Sequence, residues 1–195
     1  MYTFDHNLFL WLNFDGGAAM DALMLGASTP AAWAWLYLLI LYVVWRTSGW
    51  RGVALYLLTV GIALGLADMV AGIFKHTGLL KGLLPNFPVR LRPMHTPELK
   101  GMIHYLKEGG LYGTVSAHAA TNVSLAIITS LFVRRRWMTY LMVAVTIIIC
   151  YSRIYLAYHF PFDILLGALT GAMAALIAMG VYWGIQKAKI WQQFD

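Results

Sequence analysis

Apolar residues run through this chain in long blocks separated by short polar joints. The pattern predicts five membrane-crossing helices, at about 31–45, 52–74, 117–133, 137–154 and 162–185. The first is short for a crossing of about 20 residues. It follows Pro30, a good first residue of a helix, and is expected to borrow Ser28 and Thr29. Ahead of it, Leu8, Phe9, Leu12, Met20, Leu23 and Met24 are interleaved with Asp5, Asn7, Asn13, Asp15 and Asp21. Gly16-Gly17 interrupts that stretch, so residues 1–28 read as short interfacial helices. The long connection, 75–115, carries Pro85, Pro88, Pro93 and Pro97, with a short surface helix expected near 98–107. Connections of that length are usually functional or mobile.

Composition sharpens this picture. The chain is 61% hydrophobic and 11% charged, where a soluble domain carries about 25% charged residues. The reading is one all-α integral membrane domain over 1–195, a compact bundle of about five transmembrane helices. The net charge of +6 is spread among the joints. Membrane lipid or phosphate is therefore the expected partner, and nucleic acid is not. Cys150, alone in an apolar block, excludes an intrachain disulfide and a cysteine metal site. Met1 to Asp5 lack the basic start of a cleavable leader, so none is expected.

The basic residues divide evenly between the two faces. Arg46, Arg51, Arg134, Arg135, Arg136, Lys187 and Lys189 fall on one, and Lys75, Lys81, Arg90, Arg92, Lys100, Lys107 and Arg153 on the other. The first set has no role beyond anchoring and is assigned to the cytoplasm. The second lies beside the residues with chemistry, on the outer face.

The richest of those is Ser152-Arg153-Ile-Tyr-Leu-Ala-Tyr-His159-Phe-Pro161-Phe-Asp163. Ionisable groups are costly near a bilayer, and their presence there points to function. Arginine suits oxyanions, histidine attacks or moves protons near neutral pH, and a carboxylate can orient the ring. Pro161 suits a helix start. His159 would then precede an N-terminus that favours anions, with Asp163 four residues on. On the same face lie Arg90-Leu-Arg92-Pro93 and Tyr112-Gly-Thr-Val-Ser116-Ala-His118. His76, His95 and His104 have no metal-like spacing and read as surface residues. Asp68, seven residues before Lys75, reads as a packing residue or a partner for a site cation.

The three segments together resemble the type 2 phosphatidic acid phosphatase (PAP2) family, membrane relatives of the vanadium haloperoxidases. That family carries Lys-x6-Arg-Pro, Pro-Ser-Gly-His and Ser-Arg-x5-His-x3-Asp. The third pattern matches without a gap from Ser152 to Asp163. In the second, Val115 and Ala117 replace proline and glycine. In the first, Pro85 stands where lysine is expected, as though 78–88 were an insertion. Lys75, at a helix end, is favoured as the missing lysine; Lys81 is the alternative, and Arg90 a further source of charge.

The resemblance implies a lipid phosphatase without a metal or other cofactor. His159 would attack phosphorus, Asp163 would hold its other ring nitrogen, and His118 would protonate the leaving oxygen and then activate water. Arg92, Arg153, Lys75 and Ser116 would hold the phosphoryl oxygens. The site would face the periplasm from a bacterial inner membrane. Undecaprenyl diphosphate is the expected substrate, ahead of the lipid A phosphates and then phospholipid phosphates. A lipid phosphotransferase and a non-enzymatic lipid-phosphate binder or transporter are the alternatives.

Overall fold

The computed structural model describes residues 2–75 and 89–191. Lys81, His76 and the insertion at 78–88 lie outside the described residues. Six helices follow in chain order: α1 (Tyr2–Leu12), α2 (Gly17–Ala27), α3 (Ala34–Ile73), α4 (Ala117–Val133), α5 (Arg136–Tyr155) and α6 (Pro161–Trp191). Among the described residues α3, α5 and α6 have the length and apolarity to cross a bilayer, while α4 is apolar but shorter, at 17 residues.

The first two expected crossings are the two arms of α3. The helix breaks at Gly49, at φ 62° and ψ −170°, a conformation that only glycine adopts freely. Tyr37 and Ile40 before the break and Leu57 and Val60 after it line one cavity, so the arms run back beside each other. The first arm is extended by a 3-10 turn at Pro30–Trp33, which makes up its short length. Five apolar helical stretches result, as the hydrophobic pattern predicts.

Their inner faces form one core. Leu36, Ile40 and Val44 meet Val53, Tyr56 and Val60 across the arms, with Ile128 of α4, Met138, Met142 and Val145 of α5, and Ala175 and Ala178 of α6. The Tyr56 and Thr129 hydroxyls share a hydrogen bond of 2.8 Å inside it. The outer faces stay apolar, with Leu38, Leu58, Ile147, Leu169, Met173 and Leu176 exposed. That suits a hydrocarbon solvent, in which packing of small residues holds helices together. Gly171 shows such packing: a Cβ there would overlap the Ala120 backbone. Its carbonyl instead accepts from the Ser124 hydroxyl at 2.8 Å.

The two ends of the bundle differ. At one, Arg51, Arg134, Ser48, Tyr182 and Gln186 line a polar hollow, which brings residues of two basic joints together. At the other end, α1 and α2 meet at 114° and lie against the α5–α6 junction. Phe9 packs on Ile154, Ala157 and Phe160, and Met24 on Tyr155 and Leu156.

The helix expected near 98–107 does not form. Only a 3-10 turn, Pro97–Leu99, is present, and Gly101 follows at φ 80°. The next residues are held by tertiary bonds instead: Asn13 exchanges side-chain hydrogen bonds with the backbone of His104 at 2.8 and 2.9 Å. Nor are the loop histidines plain surface residues. His104 Nε2 lies 2.8 Å from Asp21 Oδ1, and His95 Nε2 lies 3.0 Å from the Gly109 carbonyl.

Candidate active site

Three backbone devices bring the sequence motifs together. The first is the end of α5. Ala157 takes a left-handed φ of 55°, and the Tyr158 and His159 amides both donate back to the Arg153 carbonyl at 2.9 and 3.2 Å. This reversal is a common helix stop, normally given to glycine. It turns the chain so that Arg153 and His159 share one face of the junction. The second is the start of α6 at Pro161, where the Asp163 carboxylate reaches back and accepts from the Phe160 amide at 2.9 Å, as the third residue of a capping box does. The third is Ser116, which caps α4: its hydroxyl accepts from Ala119 at 3.4 Å. The Ser116 amide donates to the Asp163 carbonyl at 3.1 Å and so ties the α4 start to α6.

The connection to α4 adds the remaining parts. Leu91 and Tyr112 form an isolated antiparallel bridge. The Arg92 amide donates to the Leu111 carbonyl and the Gly113 amide to the Arg90 carbonyl. Arg92 Nε donates to the Tyr112 carbonyl at 3.1 Å, and its guanidinium lies 5.5 Å from the Tyr158 ring.

His159 is 1% exposed. Its Nδ1–H donates to the Gly113 carbonyl at 2.8 Å. This corrects one expectation, that Asp163 would hold that nitrogen. The Asp163 carboxylate stands 3.6 Å from Nδ1, beyond hydrogen-bond length, because one of its oxygens is taken by the Phe160 amide. The consequence for the ring is the same: a carbonyl can only accept, so Nδ1 carries the proton and Nε2 keeps its lone pair. Burial first, and then Lys75, Arg92 and Arg153, hold the His159 imidazole well below its ordinary pKa of 6.5. At neutral pH it is an uncharged base surrounded by cations.

Arg153 is 8% exposed. It donates from Nη1 to the Ser28 hydroxyl, and its guanidinium lies 4.2 Å from the Tyr158 ring. Its buried Nε has no hydrogen-bond partner among the described residues. A buried, unmatched N–H on a charged group is costly, of order 1–3 kcal/mol or more, and suits a site built to receive an anion. Lys75, just past α3, has its pKa lowered to about 8 by burial and by Arg92, with Asp68 opposing. The same burial lowers Arg92. His118 opens α4 and lines a mostly apolar cavity of about 490 Å³, with Asp68, Leu64, Val60 and Tyr56.

Arg90 stands apart from the phosphate-binding role expected of it. Its guanidinium is engaged by carboxylates, with Nη2 2.6 Å from Asp5 Oδ2 and Nε 3.6 Å from Asp163 Oδ1. Sequence reasoning also missed Gly113, Tyr158, Ser28 and Asp5. Gly113 acts through its backbone, which no side-chain pattern records. The others meet the motifs only in three dimensions.

The position of Lys75 makes a pH prediction. Above about pH 8 it loses its proton, and with it the attraction for a phosphate anion. The value of kcat/KM is therefore expected to fall about tenfold per pH unit beyond that point, the free-enzyme titration showing in this parameter. Lys75→Arg stays charged and should move the alkaline limb upward by more than about one pH unit. An unmoved limb would assign the titration to another group.

Comparison with known proteins places the chain in a family. The PAP2 superfamily model matches residues 56–187. The lipid A 4′-phosphatase of Bacteroides thetaiotaomicron is 28% identical over 170 residues, covering 86% of this chain and 72% of that protein. That of Porphyromonas gingivalis is 27% identical over 183 residues, covering 91% and 72%. The crystal structure of Aquifex aeolicus LpxE superposes with a TM-score of 0.67 over 89% of this chain and 93% of that one. Its identity is 19%, so this likeness speaks for the fold. The family match covers most of the chain and all three motifs, and the chain belongs to the PAP2 superfamily, as a membrane-embedded phosphatase.

Proposed function

We propose that this chain removes phosphate from lipid A, acting first on the 4′-phosphate, by way of a phosphohistidine on His159. The observation that carries the chemistry is the buried, uncharged His159, with Nδ1 tied to Gly113 and Lys75, Arg92 and Arg153 acting on it. Such a ring presents Nε2 as a nucleophile into a cationic pocket. Nε2 attacks phosphorus and forms an N–P bond as the P–O bond to the lipid breaks. His118 gives its proton to the departing oxygen. His118 then takes a proton from water, which attacks the phosphohistidine, frees inorganic phosphate and restores His159. Arg92, Arg153 and Lys75 hold the phosphoryl oxygens, where charge is greatest. Ser116 supports them from the α4 cap. Asp163, 3.6 Å from Nδ1, favours the transient positive charge on the attacking imidazole. No step calls for a metal ion.

The choice of lipid rests on two supports. The cavity that begins at His118 is apolar along most of its wall, as an acylated substrate needs. The similar proteins of B. thetaiotaomicron and P. gingivalis are lipid A 4′-phosphatases, which moves lipid A ahead of undecaprenyl diphosphate, the substrate preferred on sequence alone. We place the protein in a bacterial inner membrane with the site facing the periplasm, because the other face gathers Arg51 and Arg134.

The test gives the detergent-purified protein lipid A and undecaprenyl diphosphate in parallel, in excess EDTA. Phosphate release and mass spectrometry of the lipid are followed. Loss of the 4′-phosphate from lipid A, at least about tenfold faster than release from undecaprenyl diphosphate, is the expected result. The reverse order would restore the carrier lipid as substrate. Activity lost in EDTA and regained with a divalent cation would overturn the metal-free mechanism.

A further inference from the structure

The amino-terminal helix lies outside the stretch matched by the family, which starts at residue 56. Its contacts are nonetheless with the centre of the site. Asp5 is 1% exposed, a carboxylate buried in an otherwise amphipathic helix. Oδ1 accepts from the Phe162 amide at 3.1 Å, one of the donors left open in the first turn of α6. Oδ2 holds Arg90 Nη2 at 2.6 Å. The Arg90 guanidinium lies 3.9 Å from the Phe160 ring centre, and His6 stacks on the same ring at 4.8 Å. Arg90 Nε then faces Asp163 Oδ1 at 3.6 Å, and Asp163 Oδ2 faces His159 Nδ1 at 3.6 Å.

These distances describe one chain of contacts, Asp5 to Arg90 to Asp163 to His159, with a helix start bound at its far end. We propose that Asp5 is a positioning residue for the reaction: it fixes Arg90 so that Asp163 stays within reach of His159. Burying an acid is costly unless it is paired and hydrogen-bonded, and Asp5 is both. The pairing divides Arg90 between two carboxylates. Without Asp5, Arg90 turns fully onto Asp163 and draws that carboxylate away from the imidazole.

Anchoring α1 is a separable duty, and another residue performs it. Asn13, at the end of the same helix, donates to the Ile154 and Tyr155 carbonyls at 3.2 and 2.7 Å. It caps the end of α5 without touching the charged chain.

The inference rests on the phosphatase reading, and its test separates the two. Asp5→Asn keeps an acceptor for the Phe162 amide but removes the charge that holds Arg90. The expected result is a fall in kcat of about tenfold or more with KM changed less than about twofold, because geometry at the reacting ring is lost while phosphate binding is kept. Asp5→Glu should recover part of that loss. The double variant Asp5→Asn with Arg90→Gln should be no slower than Arg90→Gln alone, since both act through one route. Full kcat in Asp5→Asn, or losses that multiply in the double variant, would overturn the inference. Thermal unfolding of the wild type, Asp5→Asn, Arg90→Gln and the double variant reads the pair without turnover. Additive shifts in Tm would also overturn the inference, even if every substrate tried proved wrong. Should Asp5→Asn not fold, Arg90→Lys takes its place, keeping one charge but not two separate donors: a fall in kcat supports the chain of contacts, and unchanged kcat overturns it.

Discussion

His159→Ala should lose more than about 10⁴-fold of kcat on any lipid phosphate the protein hydrolyses, an effect on the scale seen when an enzyme loses its nucleophile. KM should stay within a few-fold. The reason is structural. Lys75, Arg92 and Arg153, whose charges act on the ring, have supports of their own. Arg153 is set by Ser28 and the Tyr158 ring, and Arg92 by the Tyr112 carbonyl. Phosphate should therefore still bind to a site that cannot react. The variant should also fold. Removing an imidazole of 1% exposure leaves a small cavity, at a cost of about 2–3 kcal/mol, but it relieves a buried base crowded by cations. Inorganic phosphate binding by calorimetry checks that a folded site still binds, and phosphate release checks the lost turnover. Activity above about 1% of wild type would move the nucleophile elsewhere.

Gly113→Ala is expected to have the second largest effect, about 10²-fold in kcat, of the size caused by a misplacement near 1 Å at a reacting group. A Cβ at this position would stand 2.8 Å from Arg92 Cγ, and 3.4 Å from both His159 Nδ1 and the Tyr158 carbonyl. The side chain of Arg92 must give way first, and the Gly113 carbonyl moves with it, weakening the 2.8 Å bond that fixes the His159 tautomer. Because Arg92 shifts too, KM should rise as well, by about fivefold. Stability should change by no more than about 1–2 kcal/mol, since the connection is not part of the helical core. Wild-type kinetics in Gly113→Ala would show that this carbonyl does not govern the ring.

These two residues mark how far the sequence carries the account. His159 was legible because its chemistry lies in a side chain, at fixed spacing from Arg153 and Asp163 on one local reversal. Gly113 was not, because its contribution is a carbonyl, and every residue has one. The helices were legible for a comparable reason. A helix that crosses a bilayer needs a long, predominantly apolar run, so α4 ran as predicted from Ala117 to Val133. The polar joint at 46–51 marked the break in α3, and the structure adds that Gly49 makes it.

What stayed hidden is long-range. Asp5 is 157 residues from Phe162 in the chain and 85 from Arg90, and in sequence it looked like one more polar position of an interfacial helix. The same applies to His104, read as a surface residue until its bonds to Asn13 and Asp21 are seen. Those bonds replace the helix expected at 98–107, whose composition alone permitted one. Arg90 was assigned to phosphate by its charge and its place beside Arg92. In the fold its neighbours are two acids, and a cation so paired has less field to offer an incoming anion.

The central claim is that phosphate passes through His159, and the most direct measurement is to trap it there. The protein would be mixed with lipid A carrying labelled phosphate, quenched within its first turnover under alkaline conditions that preserve phosphohistidine, and digested for mass spectrometry. Label is expected on the peptide that holds His159, none in His159→Ala, and label that both forms and decays more slowly in His118→Ala, which loses the proton donor of the first step and the base of the second. Label on another residue, or burst-free turnover with no labelled peptide at any time, would contradict it.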